Sequence, residues 1–308
     1  QAIKNSVQVS AAAAMITTLL AFVLAYAVHF TRAGNSVKLL IKVGIAAPML
    51  LPTITYGFAI IYSFGKQGLL TQLFGRELLQ IYGFYGLLVG YVVYTLPYAF
   101  LLLSNSFSYI DKKFLIVSEL MGDGFLRSFM NTVLRPLTGT IGGAFTVSFI
   151  LSFTDFGIPA SIGGNYNVIA TELYQVMLGA IPDFNSGSVI AMFMLLPAVA
   201  GVVFLNFLDR FNFYYDTISS TELPENRLRD IGLAGLSLGV VTGMASIFLV
   251  MFIAPFVKNF PYDMTFSAQF VQNALFTGGI WGVYENSILV AIASAAAGPP
   301  SAVMAVAI

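Results

Sequence analysis

Few side chains in this sequence could do chemistry, and they stand far apart. There is no cysteine and a single histidine, His29, which excludes disulfides, thiolate nucleophiles and His-rich metal clusters. The acid that stands out is Asp155, which follows Thr154 in a long apolar run just ahead of Gly157 and Pro159. A charge at bilayer depth costs about 2.5–3.5 kcal/mol on insertion scales, so such residues tend to mark a solute path. Thr154, Asp155, Gly157 and Pro159 are therefore candidates for a translocation path. An acid capping a broken helix at the membrane surface explains the same four residues. His29 ends a hydrophobic run and reads as interfacial rather than as a proton relay. Tyr26, Tyr91, Tyr94 and Tyr98 suggest an aromatic binding wall or, with no ligand needed, aromatics gathered at a membrane interface. No GxxxxGK[ST] phosphate loop occurs. No convergent acid, base or metal set points to an enzyme, and no cofactor is expected to bind this chain.

Composition explains why so few polar groups are present. Of 308 residues, 58% are hydrophobic and 9% charged, with a mean hydropathy of +0.86. Soluble domains carry about 25% charged residues, so water could not solvate this surface. The formal net charge of +0 offers no basic field for nucleic acid.

A helix crossing about 30 Å of hydrocarbon needs about 20 apolar residues. Runs of that kind lie at 8–30, 39–64, 84–103, 186–208 and 231–257, a shorter one at 140–156, and a last one from 286 onward. The expected fold is thus all-α, a polytopic transmembrane bundle of about seven spans. If the loops alternate sides, Arg32, Lys38, Lys42, Lys112, Lys113, Arg127, Arg135, Arg210, Arg227 and Arg229 share one side. Only Lys4, Lys66, Arg76 and Lys258 fall on the other. The basic side is expected to be cytoplasmic.

The loop at 104–139 lies on that side and contains a helical pattern of Phe114, Leu115, Val117, Leu120 and Met121 after Asp111. The stretch at 158–187 has no Lys or Arg, a Gly163-Gly164 break and a short helix near 171–180. Gly86 and Gly90, with Gly142, Gly143 and Ala144, suggest close helix packing. Asn5, Ser6, Val9, Ala12 and Ala14 recur 281 residues later as Asn286, Ser287, Val290, Ala293 and Ala295. Duplicated halves are common in transporters. The expected organisation is a first domain at 1–208, a cytoplasmic linker at 209–230 containing Pro224, and the opening of a second domain at 231–308. The chain reads as a piece of a longer protein.

The stretch DKKFLIVSELMGDGFLRSFMNTVLRPL resembles the "EAA" loop of ABC-importer permeases. Asp111, Leu115, Gly122 and Phe129 fall where that pattern has Asp, an apolar residue, Gly and Phe. Pro136 matches the distal proline one residue late, and Ile116, Val117 and Ser118 replace Glu-Ala-Ala. LSFTDFGIPASIGGNYNVIATELY and LPTITYGFAIIYSFGKQGLL are similar to segments of ferric-iron and 2-aminoethylphosphonate importer permeases, where two permease domains are often fused. The Asn165-Tyr166-Asn167-Val168 block leans toward the phosphonate branch.

That resemblance implies a bacterial inner-membrane subunit that couples to two copies of a separate ATPase and receives solute from a binding protein on the outer face. ATP would be hydrolysed by the partner. Asp111, Leu115, Glu119, Gly122, Asp123, Arg127, Phe129 and Pro136 would form the coupling loop, with Glu119, Asp123 and Arg127 as polar contacts to the ATPase. The rival is an ion-coupled secondary transporter built from duplicated halves, which should carry coupling acids or histidines in several spans.

Overall fold

The computed structural model describes residues 1–208, 210, 226–276 and 279–306, leaving out the side chains of Glu119, Phe125 and 297–306. Most of the expected linker, Pro224 included, therefore lies outside the described residues. The chain forms two compact units, Gln1–Val250 and Met251–Ile308.

The first unit is a helix bundle. The helices are α1 (Ala2–Phe30), α2 (Asn35–Ala46), α3 (Thr53–Phe64), α4 (Leu69–Phe74), α5 (Phe84–Ser108), α6 (Lys113–Leu120), α7 (Phe125–Phe129), α8 (Thr138–Thr154), α9 (Gly157–Ile162), α10 (Ile169–Leu178), α11 (Phe184–Leu208) and α12 (Arg227–Ile253). Among the described residues, α1, α5, α11 and α12 are each long and apolar enough to cross a membrane. Three bent pairs bring the total to seven if each pair is one span, the number expected from the sequence.

One expectation is corrected here. The apolar run at 39–64 is not a continuous span, because it breaks at 47–52 and its two helical arms differ by 109°. Two prolines cause the break. Pro52 bars Leu51 from helical backbone, and Leu51 is extended at φ −95° and ψ 142°. Pro48 sits at the start of the 3-10 turn Ala47–Leu50, where a missing N–H is tolerated.

Small residues bring α1, α5 and α8 together. Ala13, Ala14, Ala21 and Ala25 of α1 are fully buried, and Ala144 of α8 is too. Met15 and Leu19 of α1 face outward, as they would toward lipid. A polar contact joins the helices at depth: Thr95 donates to the Tyr91 carbonyl at 2.7 Å, so Thr17 is the donor in its 2.9 Å bond with Thr95. The glycine spacing on α5 divides its work. Gly90 faces Ile158 of α9, whereas Gly86 faces the carbonyl of Ile81 just upstream.

The helix ends sort into two groups. At one end, Asn5 Nδ2 donates to the Asn167 carbonyl at 2.9 Å and Ile169 N–H to Ser6 Oγ at 2.8 Å. At the other, His29 meets Ser104 Oγ at 2.9 Å, and Lys38 Nζ donates to the Thr31 carbonyl at 2.8 Å beyond the end of α1. The second group is the basic side of the sequence analysis. Helix α11 is launched at the opposite end by Asp183, whose carboxylate accepts the Ser186 hydroxyl at 2.6 Å and N–H at 3.0 Å. Those two bonds hold the carboxyl below the ordinary carboxylate range.

The second unit takes the end of α12 through a 3-10 turn, Ala254–Phe256, into a short antiparallel hairpin that the sequence did not announce. Strand β1 (Val257–Asn259) pairs with β2 (Asp263–Phe266) in the register Val257 to Phe266 and Asn259 to Asp263, and the Phe260–Pro261 bond between them is cis. Helices α13 (Gln269–Phe276) and α14 (Ile280–Val306) follow.

Candidate functional site

The loop at 104–139 folds into two short helices on the basic side. Asp111 is buried and its Oδ1 accepts the Lys113 N–H at 3.0 Å, so it starts α6 as the sequence suggested. At the other end, Met121 N–H donates to the Val117 carbonyl at 2.9 Å and Asp123 N–H to the Ser118 carbonyl at 3.1 Å. Gly122 between them has φ +82°, the left-handed conformation that ends helices in this way and that glycine adopts without strain.

Two of the three expected polar residues, Asp123 and Arg127, pair with each other. Asp123 Oδ2 accepts the Ser118 hydroxyl at 2.8 Å, and Oδ1 lies 3.4 Å from Arg127 Nε. Ser118 was passed over in the sequence because it occupies the place of an alanine. The Glu119 side chain lies outside the described residues. Leu115 is half-buried and Pro136 is buried. Phe129 packs its ring against Phe22 and Tyr26 of α1, at centroid distances of 6.2 and 5.8 Å. Phe129 thus ties the loop to the bundle. The π-turn Met130–Leu134 then leads into α8, with Arg135 N–H bonded five residues back to the Met130 carbonyl at 2.9 Å.

What the loop exposes is apolar. Leu120 is 82% exposed, Met121 80% and Leu126 75%, with Phe114 and Val117 exposed beside them. These residues lie on the outer face of α6, at the turn and, for Leu126, on α7, at the basic end of the bundle. Exposed apolar clusters of this kind mark contact with another protein or with lipid.

The second candidate cluster lies where α8 breaks. Asp155 is 7% exposed, and its carboxylate accepts the Ile158 N–H at 2.9 Å. The N–H groups of Phe156 and Gly157 and the Thr53 hydroxyl lie near enough to favour its charge as well. Asp155 thus covers the first turn of α9 and ties it to the start of α3. Gly157 allows the approach, since a Cβ there would lie 2.3 Å from Thr53 Oγ1 and 2.4 Å from the Ile54 nitrogen. Pro159 is buried. Thr154 is exposed and donates to the Ile150 carbonyl at 2.8 Å. The geometry is therefore that of a capped, broken helix, with Thr154 alone of the four facing outward.

The four tyrosines do not share one place. Tyr91 is fully buried, and Tyr94 stacks edge-to-face on Tyr56 at 5.6 Å and on Tyr98 at 5.8 Å inside the bundle. Tyr26 lies near the basic end, stacked on Phe30 at 5.1 Å. Among the described residues, no group of three His, Asp or Glu could hold a metal ion.

No family model matches the chain. A Haemophilus influenzae protein named as a putative ferric transport system permease is 24% identical over 304 residues, 94% of this chain and 47% of that protein. The ferric transport system permease protein of Actinobacillus pleuropneumoniae is 26% identical over 199 residues, 63% of this chain and 29% of that protein. The molybdenum transport system permease protein of Azotobacter vinelandii is 32% identical over 161 residues, 49% of this chain and 69% of that protein. The chain spans about half, or less, of the two ferric relatives. None of the three is a phosphonate permease, so the leaning drawn from Asn165 to Val168 finds no support. In the structure that block serves as an end clasp, with the Tyr166 hydroxyl donating to the Asn5 carbonyl at 3.2 Å and Asn167 accepting from Asn5.

Proposed function

This chain belongs to the permease family of binding-protein-dependent ABC importers, and from that premise we propose that it forms part of a solute path driven through the loop at 104–139. It is a multi-pass inner-membrane protein. The observation that carries the proposal is the pair α6 and α7 around Gly122, which presents Leu120, Met121 and Leu126 away from the bundle on the basic side. An ATPase subunit, in two copies, seats on that apolar face. Closure of the pair on ATP moves α6, and the movement passes through Phe129 to α1 and through the π-turn to α8. Coupling of this kind needs contacts that differ between two states of the membrane helices. The helix break at Asp155 supplies a place where the bundle changes direction beside the path, with Thr154 on the open side. ATP is hydrolysed by the partner, and this chain needs no cofactor of its own. A solute-binding protein delivers cargo at the end where Asn5, Tyr166 and Asn167 meet.

Ferric iron is the cargo we favour, since two relatives carry that name and one matches nearly the whole chain. The iron would be cargo rather than a resident metal. The test is purification of the full-length parent with its genomic neighbours, followed by reconstitution and uptake of radiolabelled iron. Recovery of the ATPase with the permease and iron uptake dependent on ATP are expected. A preparation that never recovers an ATPase subunit sinks the importer reading, whereas uptake of another solute sinks only the cargo.

A further inference from the structure

Aromatic side chains stand exposed along the start of the second unit. Phe266 of β2 is 77% exposed and Tyr262, in the turn of the hairpin, 61%. Phe270 of α13 and Trp281 and Tyr284 of α14 are exposed as well. The same stretch is polar elsewhere. Lys258 of β1 is exposed, and Asp263 of β2 accepts the Thr265 hydroxyl at 2.7 Å and N–H at 3.0 Å. Gln269, Gln272 and Asn273 of α13 are exposed too. Hairpin and helix hold together as one piece. The Ser267 N–H donates to the Phe256 carbonyl at 2.9 Å, its hydroxyl accepts the Gln269 N–H at 3.3 Å, and α13 packs on the 3-10 turn Ala254–Phe256.

Connectivity limits where this piece can lie. Helix α12 enters it as a membrane span, and α14 leaves it over 27 residues, about 40 Å at 1.5 Å per residue. Helix α13 departs from the direction of α14 by 67°. Membrane helices tilt by about 20° on average, so α13 lies nearer to the bilayer plane than to its normal. Two demands then meet. A two-stranded hairpin leaves one edge of each strand unpaired, and those backbone groups, with Lys258 and Asp263, are excluded from hydrocarbon. The exposed aromatic rings, in turn, would hold apolar area in water. The headgroup layer meets both demands, and tryptophan and tyrosine gather there for that reason. We propose that the hairpin and α13 rest in the phospholipid headgroup layer, at the membrane face opposite the basic one, with their exposed aromatic side chains reaching the acyl boundary. Lipid is the occupant because the flanking spans already expose apolar side chains next to the piece, Phe252 of α12 and Ile288 and Leu289 of α14. An anchor of this kind fixes the depth of both spans. The proposal rests on the membrane-spanning fold and not on the transport reading.

Trp281 is the single tryptophan of the chain, so its emission reports on this stretch without any substitution. In phosphatidylcholine liposomes, lipids brominated near the headgroup should quench it several-fold more than lipids brominated near the end of the acyl chain. The absence of native cysteines allows a spin label at Phe266→Cys in the hairpin or Phe270→Cys in α13. A nickel chelate carried on a lipid headgroup should relax both labels several-fold more than the same amount of chelate free in water. Stronger relaxation by the free chelate would put the rings in water, as a face for a soluble protein, and overturns the proposal. So does stronger quenching of Trp281 by the deep bromines. The same labels in the full-length parent, with any other cysteine replaced, test the remaining occupant. Relaxation there by neither chelate would show the rings covered by protein and equally overturn it.

Discussion

Ser118 and Asp123 hold each other twice, once through backbone and once through side chains. The Asp123 N–H donates to the Ser118 carbonyl at 3.1 Å, and the Ser118 hydroxyl donates to the Asp123 carboxylate at 2.8 Å. Gly122 turns between them, and Arg127 approaches the other carboxylate oxygen from α7. The resemblance expects alanine at position 118, a residue that could not make the second bond. In this chain Asp123 and Arg127 therefore fix the angle between α6 and α7.

The first prediction follows from that clasp. Asp123→Ala removes the acceptor of Ser118 and the partner of Arg127, and should cost about 1 kcal/mol locally, since the pair is partly exposed. Amide exchange over 118–124 should quicken while the bundle helices keep their protection. Asp123→Asn keeps an oxygen for Ser118 and should fall between Ala and the parent. Unchanged exchange in Asp123→Ala would show that the clasp holds nothing.

Gly122 gives a second prediction of a different kind. No atom lies within 4 Å of a Cβ built there, so a substitution meets no neighbour and the penalty is one of backbone alone. The left-handed conformation costs most L-residues about 1–2 kcal/mol, and asparagine less. Uptake by the reconstituted transporter should rank Gly above Asn, Asn above Ala, and Ala above the β-branched Val, with membrane insertion unaffected. A ranking by side-chain volume instead, with Ala above Asn, would mean that a partner surface and not the turn sets the limit.

How much of this was legible differs from element to element. The spans were legible because a bilayer demands long apolar runs, and α11 lies within two residues of where the sequence put it, whereas α1 already begins at Ala2 and α5 runs on to Ser108. The break at 47–52 was written in Pro48 and Pro52 but masked by their apolar neighbours. The hairpin at 257–266 was missed because seven strand residues in two short runs carry no usable alternation. Gly122 was legible as a glycine closing a helical pattern. The Ser118–Asp123 bond was not, because only the left-handed turn brings those side chains together. Asp155 was legible as unusual, yet a path-lining acid and a helix cap leave the same residues in the sequence.

The exposed apolar face of α6 yields the third prediction. Leu120 and Met121 contribute little to the fold of the isolated chain, and surface changes away from special features usually shift stability within about 0.5 kcal/mol. Leu120→Glu should therefore leave thermal unfolding in detergent unchanged while sharply reducing co-purification of the ATPase subunit, because a carboxylate would be buried without a partner at that contact. Leu120→Met, similar in volume and polarity, should retain binding. Normal ATPase recovery with Leu120→Glu would remove α6 from the docking surface.

Asp155 supports the fourth prediction, which separates its two readings. As a cap, its carboxylate accepts the Ile158 N–H at 2.9 Å, with the N–H groups of Phe156 and Gly157 and the Thr53 hydroxyl beside it. Asn keeps a side-chain oxygen for those N–H groups, whereas Ala leaves them unmet at the cost of about 0.5–2 kcal/mol. Asp155→Ala should therefore lower thermal stability and uptake together, and Asp155→Asn should keep most of both. Thr53→Val should destabilise the parent but add little to Asp155→Ala, a non-additivity expected for residues in one hydrogen-bond network. A charge acting on the solute predicts another pattern. Asp155→Asn would then abolish uptake at full stability, and the carboxylate would be assigned to the path instead of the cap.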